Sequence, residues 1–293
     1  MPRFAYVDGQ YVPHAKACVH IEDRGFQFAD AIYEVIAIRN GALMDERGHL
    51  DRLVRSLNEL KIPLPMSLTA LPIVMRELIR RNRVRNAALY MQITRGEAAR
   101  DFRFDPDLAP TLVMTVRRAD FSHTKQLNQG LKILSVPDLR WARPDIKTVM
   151  LLPSSLAKMH ALEQGADDAW LVDANGYVTE GSSNNAWIVT ADGELVTRPA
   201  DGRILKGVTR SALQHIATLF QLRIVERPFT IAEAQAACEA FSTSASAFVA
   251  PVVSIDGKMI GDGKPGRVAL GMRERYLRYS EGAHGAPIGW TST

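Results

Sequence analysis

The chain has 293 residues, 46% of them hydrophobic and 23% charged, with Gly 20 and Pro 15 spread along its length. This composition excludes collagen, long disorder and coiled coil; two compact domains are expected, with one large α/β unit as the alternative. Net charge is +4, but the 36 basic and 32 acidic residues are mixed along the whole sequence, which argues against a nucleic-acid surface.

The first segment reads as strands, helices and strands again. Phe4 to Val12 carries the turn Asp8-Gly9, and Ala31 to Ile38 is a strand followed by the hairpin signal Asn40-Gly41. His49 to Lys61 spaces Leu50, Leu53, Leu57 and Leu60 by three and four, and Leu68 to Arg81 repeats the helical pattern. The cluster Arg80-Arg81-Asn82-Arg83-Val84-Arg85 closes that helix, where cations complement the dipole. Ala87 to Thr94 and Thr111 to Val116 return to strand, so residues 1–118 form a small α+β domain.

Residues 119–129 are polar and aperiodic and are expected to be a linker. Residues 130–279 form the larger domain: a strand at Leu131 to Val136, a helix at Leu151 to Gln164, and hairpins turning at Asn175-Gly176 and Asp192-Gly193. Two successive hairpins indicate mainly antiparallel pairing. An amphipathic helix follows at Arg210 to Phe220, then the apolar, small-residue stretch Ala240 to Val253 and a turn at Ile255 to Lys258. Residues 280–293 read as a loosely held tail.

No apolar stretch approaches the roughly 18 residues of a membrane helix. The start, Met1 to Gly9, lacks the apolar run of a signal peptide. Cys18 and Cys238 are too few for a disulfide framework or structural zinc; Cys238 reads as a packed thiol and the cytoplasm as the compartment. No glycine-rich phosphate loop stands between a strand and a helix, which counts against a kinase or an ordinary NAD enzyme.

Polar groups at element ends in the second half carry the chemistry. Lys147, within Ile146-Lys147-Thr148-Val149-Met150, is set among apolar residues that desolvate an amine and favour its nucleophilic form; a lysine snorkelling from a strand end is the alternative. Glu180, before the small polar run Gly181 to Asn185, could pair with a protonated ring nitrogen or simply be solvated. Gly207-Val208-Thr209 leads into a helix whose first amides suit a phosphate, with Thr209 capping or donating its hydroxyl. The loop Ser242 to Ser246 is a second phosphate cradle or a tight packing loop, and Arg52, beside His49, could reach an anion.

Several strings together resemble the fold-type IV pyridoxal-phosphate enzymes, the class IV aminotransferases. They are Glu22 to Asp30 with Tyr33-Glu34-Val35, His49 to Leu53, Thr94-Arg95-Gly96, Arg140-Trp141 through Lys147, Val178 to Asn184, and Ile204 to Arg210, in family order over roughly residues 4–265. The resemblance implies a two-domain α+β architecture, with a small N-terminal α/β sandwich and a larger domain of mainly antiparallel sheet. It implies pyridoxal 5'-phosphate, with Lys147 as the Schiff-base lysine and Glu180 on the pyridine nitrogen. Arg52, Val208, Thr209, Ser244 and Ala245 would hold the phosphate, Leu205 the ring face, and Ser183 would lie nearby.

The expected reaction is ping-pong transfer from a D-amino acid to 2-oxoglutarate. The substrate carboxylate would be held by Tyr33 and by Arg100 on the partner subunit's loop, in a homodimer. Phe102 stands where the family has a histidine, with Arg103 beside it. Branched-chain L-amino acid and (R)-amine transaminases share the scaffold and are the nearest alternatives; an eliminating lyase of the family and a non-enzymatic basic binding protein are further removed.

Overall fold

The computed structural model describes residues 3–119, 121 and 128–282. Most of the expected linker, at 120 and 122–127, and the tail from 283 onward lie outside the described residues, as do the side chains of 280–282. The chain divides into two compact units, Met1–Asp120 with Ile146–Met150, and Phe121–Asp145 with Leu151–Thr293. The segment bearing Lys147, read from sequence inside the larger domain, thus belongs to the first unit.

In the first unit, strands β1 (Phe4–Val7), β2 (Gln10–Pro13), β3 (Ala31–Arg39), β4 (Ala42–Leu43), β5 (Ala87–Thr94) and β6 (Leu112–Arg118) form one antiparallel sheet in the order β2-β1-β6-β5-β3-β4. Alternation sets its inner face: Ala87, Leu89, Met91 and Ile93 of β5 and Leu112, Met114 and Val116 of β6 are buried while the residues between them are not. Besides the short α1 (Arg24–Phe28), two helices accompany the sheet: α2 (Glu46–Leu60) lies on β3, and α3 (Leu71–Asn82) on β1 and β6. Their buried stripes, Leu50, Leu53 and Leu57, and Leu71, Met75, Leu78 and Ile79, are those read from spacing.

The second unit holds a nine-stranded sheet. Its strands are β7 (Leu131–Pro137), β8 (Asp168–Val172), β9 (Val178–Gly181), β10 (Asn185–Val189), β11 (Leu195–Thr197), β12 (Ile224–Glu226), β13 (Glu239–Ser244), β14 (Phe248–Ile255) and β15 (Lys258–Met259). The order is β12-β11-β10-β13-β14-β7-β8-β9, with β15 on β14. Both expected hairpins form, yet β11 with β12, β14 with β7, and β7 with β8 are parallel. The apolar stretch Ala240 to Val253 is a hairpin, not one run: β13 and β14 close at Ser244 opposite Phe248. Helices α4 (Leu152–Glu163), α5 (Val208–Leu219), α6 (Ile231–Ala236) and α7 (Arg267–Gly282) complete the unit. Trp170, Ile188, Phe229, Ala240 and Val252 centre its main core cluster.

Candidate active site

In the first unit the site grows from the start of β3. The backbone of Ile146–Met150 runs against it: Thr148 bridges to Ile32, and the Tyr33 N–H donates to the Lys147 carbonyl at 2.9 Å. The Lys147 N–H in turn points at Ser56 Oγ of α2, 3.4 Å away. The side chain is half-buried, and its Nζ lies 4.2 Å from the centroid of the Tyr33 ring. An ammonium over an aromatic face is attracted by the ring quadrupole, which steadies the amine in place. Tyr33 stacks on Tyr90 at 5.8 Å; burial, with the neighbouring Tyr33, pushes the Tyr90 hydroxyl up to about 12, and it donates to Gln92.

Positions 49, 52 and 56 of α2 share one helix face, being three, four and seven apart. Arg52 Nε and Nη2 grip Glu34 Oε1 and Oε2 at 2.8 and 2.7 Å, and His49 Nδ1 meets Oε2 at 2.7 Å. Burial alone would push the fully buried Glu34 carboxyl up, but Arg52 and His49 outweigh it and bring it to about 2. Arg52 therefore stands fixed by a two-pronged carboxylate pair, a contact that nothing in the sequence spacing announces.

Glu180 lies near the end of β9 in the second unit. Far from the solvated strand-end carboxylate that was its alternative, it is buried and multiply bonded. Asn185 Nδ2 donates to Oε2 at 2.9 Å, the Leu205 N–H to Oε1 at 3.1 Å, and Arg140 Nη1 to Oε1. Arg140 is itself anchored on Asp138, through Nε at 2.9 Å and Nη2 at 2.8 Å, and Thr179 Oγ1 donates to the same carboxylate. Burial works against the Arg140 charge, but Asp138 and Glu180 more than compensate and hold it above the ordinary arginine range. Arg140 and Asn185 lie in or beside the matched strings without an expected role; their place is legible only once the strands bring them beside Glu180.

Asn185 also links Glu180 to the next group. Its Nδ2 donates to the Leu205 carbonyl at 2.9 Å, and a Cβ on Gly207 would meet its Oδ1 at 2.1 Å, so glycine is required there. Gly207 is the N-cap of α5, and among the described residues no side chain caps the helix. Thr209 lies within the first turn and does not cap it, contrary to one of its two expected roles. Its Oγ1 is buried and has no hydrogen-bond partner among the described residues. Helix α5 packs against β13. Ser242 and Thr243, read as part of a loop, are buried strand residues accepting from the indoles of Trp170 and Trp187, each at 3.0 Å. The true turn begins at Ser244, whose Oγ accepts from the Ala247 N–H at 3.1 Å, with Ala245 beside it.

Other expected residues are placed more loosely. Ser183 is exposed, next to Ser182 and Asn184, which both bind the buried Asp168. Arg100 is exposed with its Cζ 5.3 Å from the Phe28 centroid, and Phe102, 83% exposed, meets Phe28 edge-on at 5.8 Å. Arg103 is exposed and binds Asp101 at 2.9 Å. Cys238, expected to be packed, is exposed.

The profile of the amino-transferase class IV family matches residues 31–255. The chain belongs to the class IV aminotransferases. This aminotransferase is 35% identical over 277 residues to the D-alanine aminotransferase of Staphylococcus haemolyticus, covering 94% of this chain and 97% of that one. It is 37% identical over 259 residues to that of Bacillus licheniformis, covering 88% and 90%. Among solved structures it is similar to the branched-chain amino acid aminotransferase of Thermoproteus uzoniensis with norvaline, at TM-score 0.83, 26% identity and coverage of 97% of each chain. A further branched-chain enzyme, solved with pyridoxamine 5'-phosphate, matches at TM-score 0.88, 26% identity and coverage of 95% and 94%. This chain shares the fold of the Escherichia coli branched-chain enzyme at TM-score 0.90, 22% identity and coverage of 99% and 98%.

Class IV aminotransferases use pyridoxal 5'-phosphate, and this aminotransferase has the groups to hold it. The buried, unengaged Thr209 hydroxyl and the start of α5 suit a phosphate. The buried Glu180 carboxylate, aligned by three donors, suits a cationic ring nitrogen.

Proposed function

We propose that this chain transfers the amino group of a D-amino acid of the D-alanine type to 2-oxoglutarate by a ping-pong mechanism. The observation that carries the reading is the buried Glu180, held by Arg140, Asn185 and the Leu205 amide. Support for the D-amino acid comes from the D-alanine aminotransferases that align along nearly the whole chain.

Pyridoxal 5'-phosphate supplies, when bound, the electron sink for the charge left at the substrate Cα. The Val208 and Thr209 amides, the Thr209 hydroxyl, the Ser244-Ala245 turn and Arg52 would hold its phosphate, and Leu205 would meet its ring face, with Ser183 as a further support. Glu180 keeps a proton on the ring nitrogen, since a buried carboxylate favours a cation beside it. Lys147 Nζ would hold the cofactor's carbonyl carbon and, once an amino substrate is in place, would be the base that takes the Cα proton and later returns it. Tyr33 positions this amine and, with Arg100, receives the substrate carboxylate. The enzyme acts as a homodimer in which Arg100 serves the partner's site. Cys18 and Cys238, both free and exposed, suit a reducing cytoplasm.

Absorbance tests the reading. Purified protein with pyridoxal 5'-phosphate should show a band near roughly 400 nm that Lys147→Ala abolishes. D-alanine should bleach it and L-leucine should not. Bleaching by L-leucine alone would move the substrate to the branched-chain class, and no band at all would overturn the assignment.

A further inference from the structure

Helix α7 braces the hairpin that carries Ser244 and Ala245, and its grip has two ends. At the base of β13, Glu239 caps the helix start: its Oε1 and Oε2 accept from the Val268 and Ala269 N–H groups at 2.9 and 3.0 Å. A Cβ on Gly266 would collide with that carboxylate at 2.0 Å, so the approach depends on glycine. Further along the helix, the buried Arg273 reaches the other end of the hairpin. Its Nη1 donates to the Ala247 and Val249 carbonyls at 2.5 and 3.1 Å, and its Nη2 to the Phe121 carbonyl.

Between the first two carbonyls sits Phe248, with φ at +59°, a left-handed conformation costly for an aromatic residue. It persists because the ring is wedged in place. Phe121 lies 5.0 Å away, Tyr276 of α7 5.4 Å, and the Arg273 guanidinium 5.3 Å from its centroid. Left-handed Phe248 bends the chain out of the turn, so what fixes Phe248 fixes the Ser244–Ala247 backbone. Helix α7 also packs on α5, whose first turn holds Thr209. One helix thus packs on both the hairpin and the helix proposed to hold the phosphate.

We propose that Arg273 is a positioning residue for the cofactor's phosphate: it holds the Ser244–Ala247 turn in register with the start of α5 and touches no ligand itself. The inference rests on the aminotransferase reading. Arg273 satisfies carbonyls on the turn side of β14, and its loss would free Phe248 to relax toward extended backbone and withdraw the turn from the phosphate. Affinity for the phosphate should fall while covalent capture at Lys147 is unaffected.

The test compares pyridoxal 5'-phosphate with pyridoxal, titrated into the cofactor-free full chain and followed by the absorbance band of the bound form. Arg273→Met should raise the Kd for pyridoxal 5'-phosphate about tenfold, as expected for lost hydrogen bonds from a charged donor, and leave that for pyridoxal unchanged. Arg273→Lys should recover part of the loss. Phe248→Leu, which loses the aromatic wedge but keeps the cost of a positive φ, should show the same phosphate-selective weakening even if Arg273→Met does not fold. Equal weakening toward both ligands, or none, overturns the proposal. Absence of any band in the unaltered chain overturns the aminotransferase reading instead.

Discussion

Glu180 and Lys147 show how differently two proposed functional residues declare themselves. Donors of different kinds, a guanidinium, a side-chain amide and a backbone N–H, converge on the buried Glu180 carboxylate. A carboxylate held by donors in this way is placed to hold a cation. Glu180→Gln keeps the shape, loses the charge and faces Arg140 with an amide. We expect half-reactions slower by on the order of a hundredfold, the scale for removing one preorganised electrostatic partner, with cofactor still bound. Stopped-flow absorbance with D-alanine measures this, and unchanged rates would remove Glu180 from the mechanism. Lys147, by contrast, has an ordinary neighbourhood apart from the Tyr33 ring. Its apolar flanks single it out among a few lysines, but only the ordered motifs around it make it the choice, because a lysine's reactivity depends on the ligand it meets.

At the scale of elements, the amphipathic stripes of α2 and α3 and the hairpin turns were legible because burial on one face imposes a period. What escaped has physical reasons. Helix α7 hides its stripe, since the buried Arg273 interrupts the apolar positions Ala269, Met272 and Tyr276. Helix α6 spans only six residues, too few for a period. The β13–β14 turn lies among small residues that mark no boundary. The pairing of β3 with α2 through Glu34, Arg52 and His49 was equally invisible, being set by tertiary contact. That pairing predicts an acid response. The Glu34 carboxyl is lowered from 4.5 to about 2, so its contribution is complete above about pH 4.5 and is lost as pH falls toward 2. Glu34→Gln removes the charge that Arg52 grips and should cost about 3–5 kcal/mol at neutral pH, the usual penalty for breaking a buried pair. Urea unfolding at pH 7 and at pH 3 should show the gap between variant and unaltered chain narrowing in acid. A gap independent of pH would mean that Glu34 acts through packing alone.

At the scale of the whole molecule, the exposed apolar surface needs a partner. Leu152, Leu156, Met159 and Leu162 of α4 recur at spacings of four, three and three, and Leu152 and Leu156 are 69% and 60% exposed. An exposed apolar helix face of this kind is uncommon on a monomer and is one on which a partner would bury area. The proposed homodimer gives it one, and it makes a sharper demand: if Arg100 serves the partner's site, the two subunits must complement one another. Lys147→Ala and Arg100→Ala chains are each expected to be nearly inactive alone. Unfolded together and refolded as a mixture, half the dimers pair one of each. In such a dimer, one site combines an intact Lys147 with an intact Arg100 from the other chain, and the second site has lost both. Activity should therefore return to roughly a quarter of that of the unaltered enzyme, by random pairing of symmetric subunits. Were Arg100 instead to act within its own subunit, the mixture would have no intact site in any dimer that carries a variant chain. It would then be no more active than the mean of its two components.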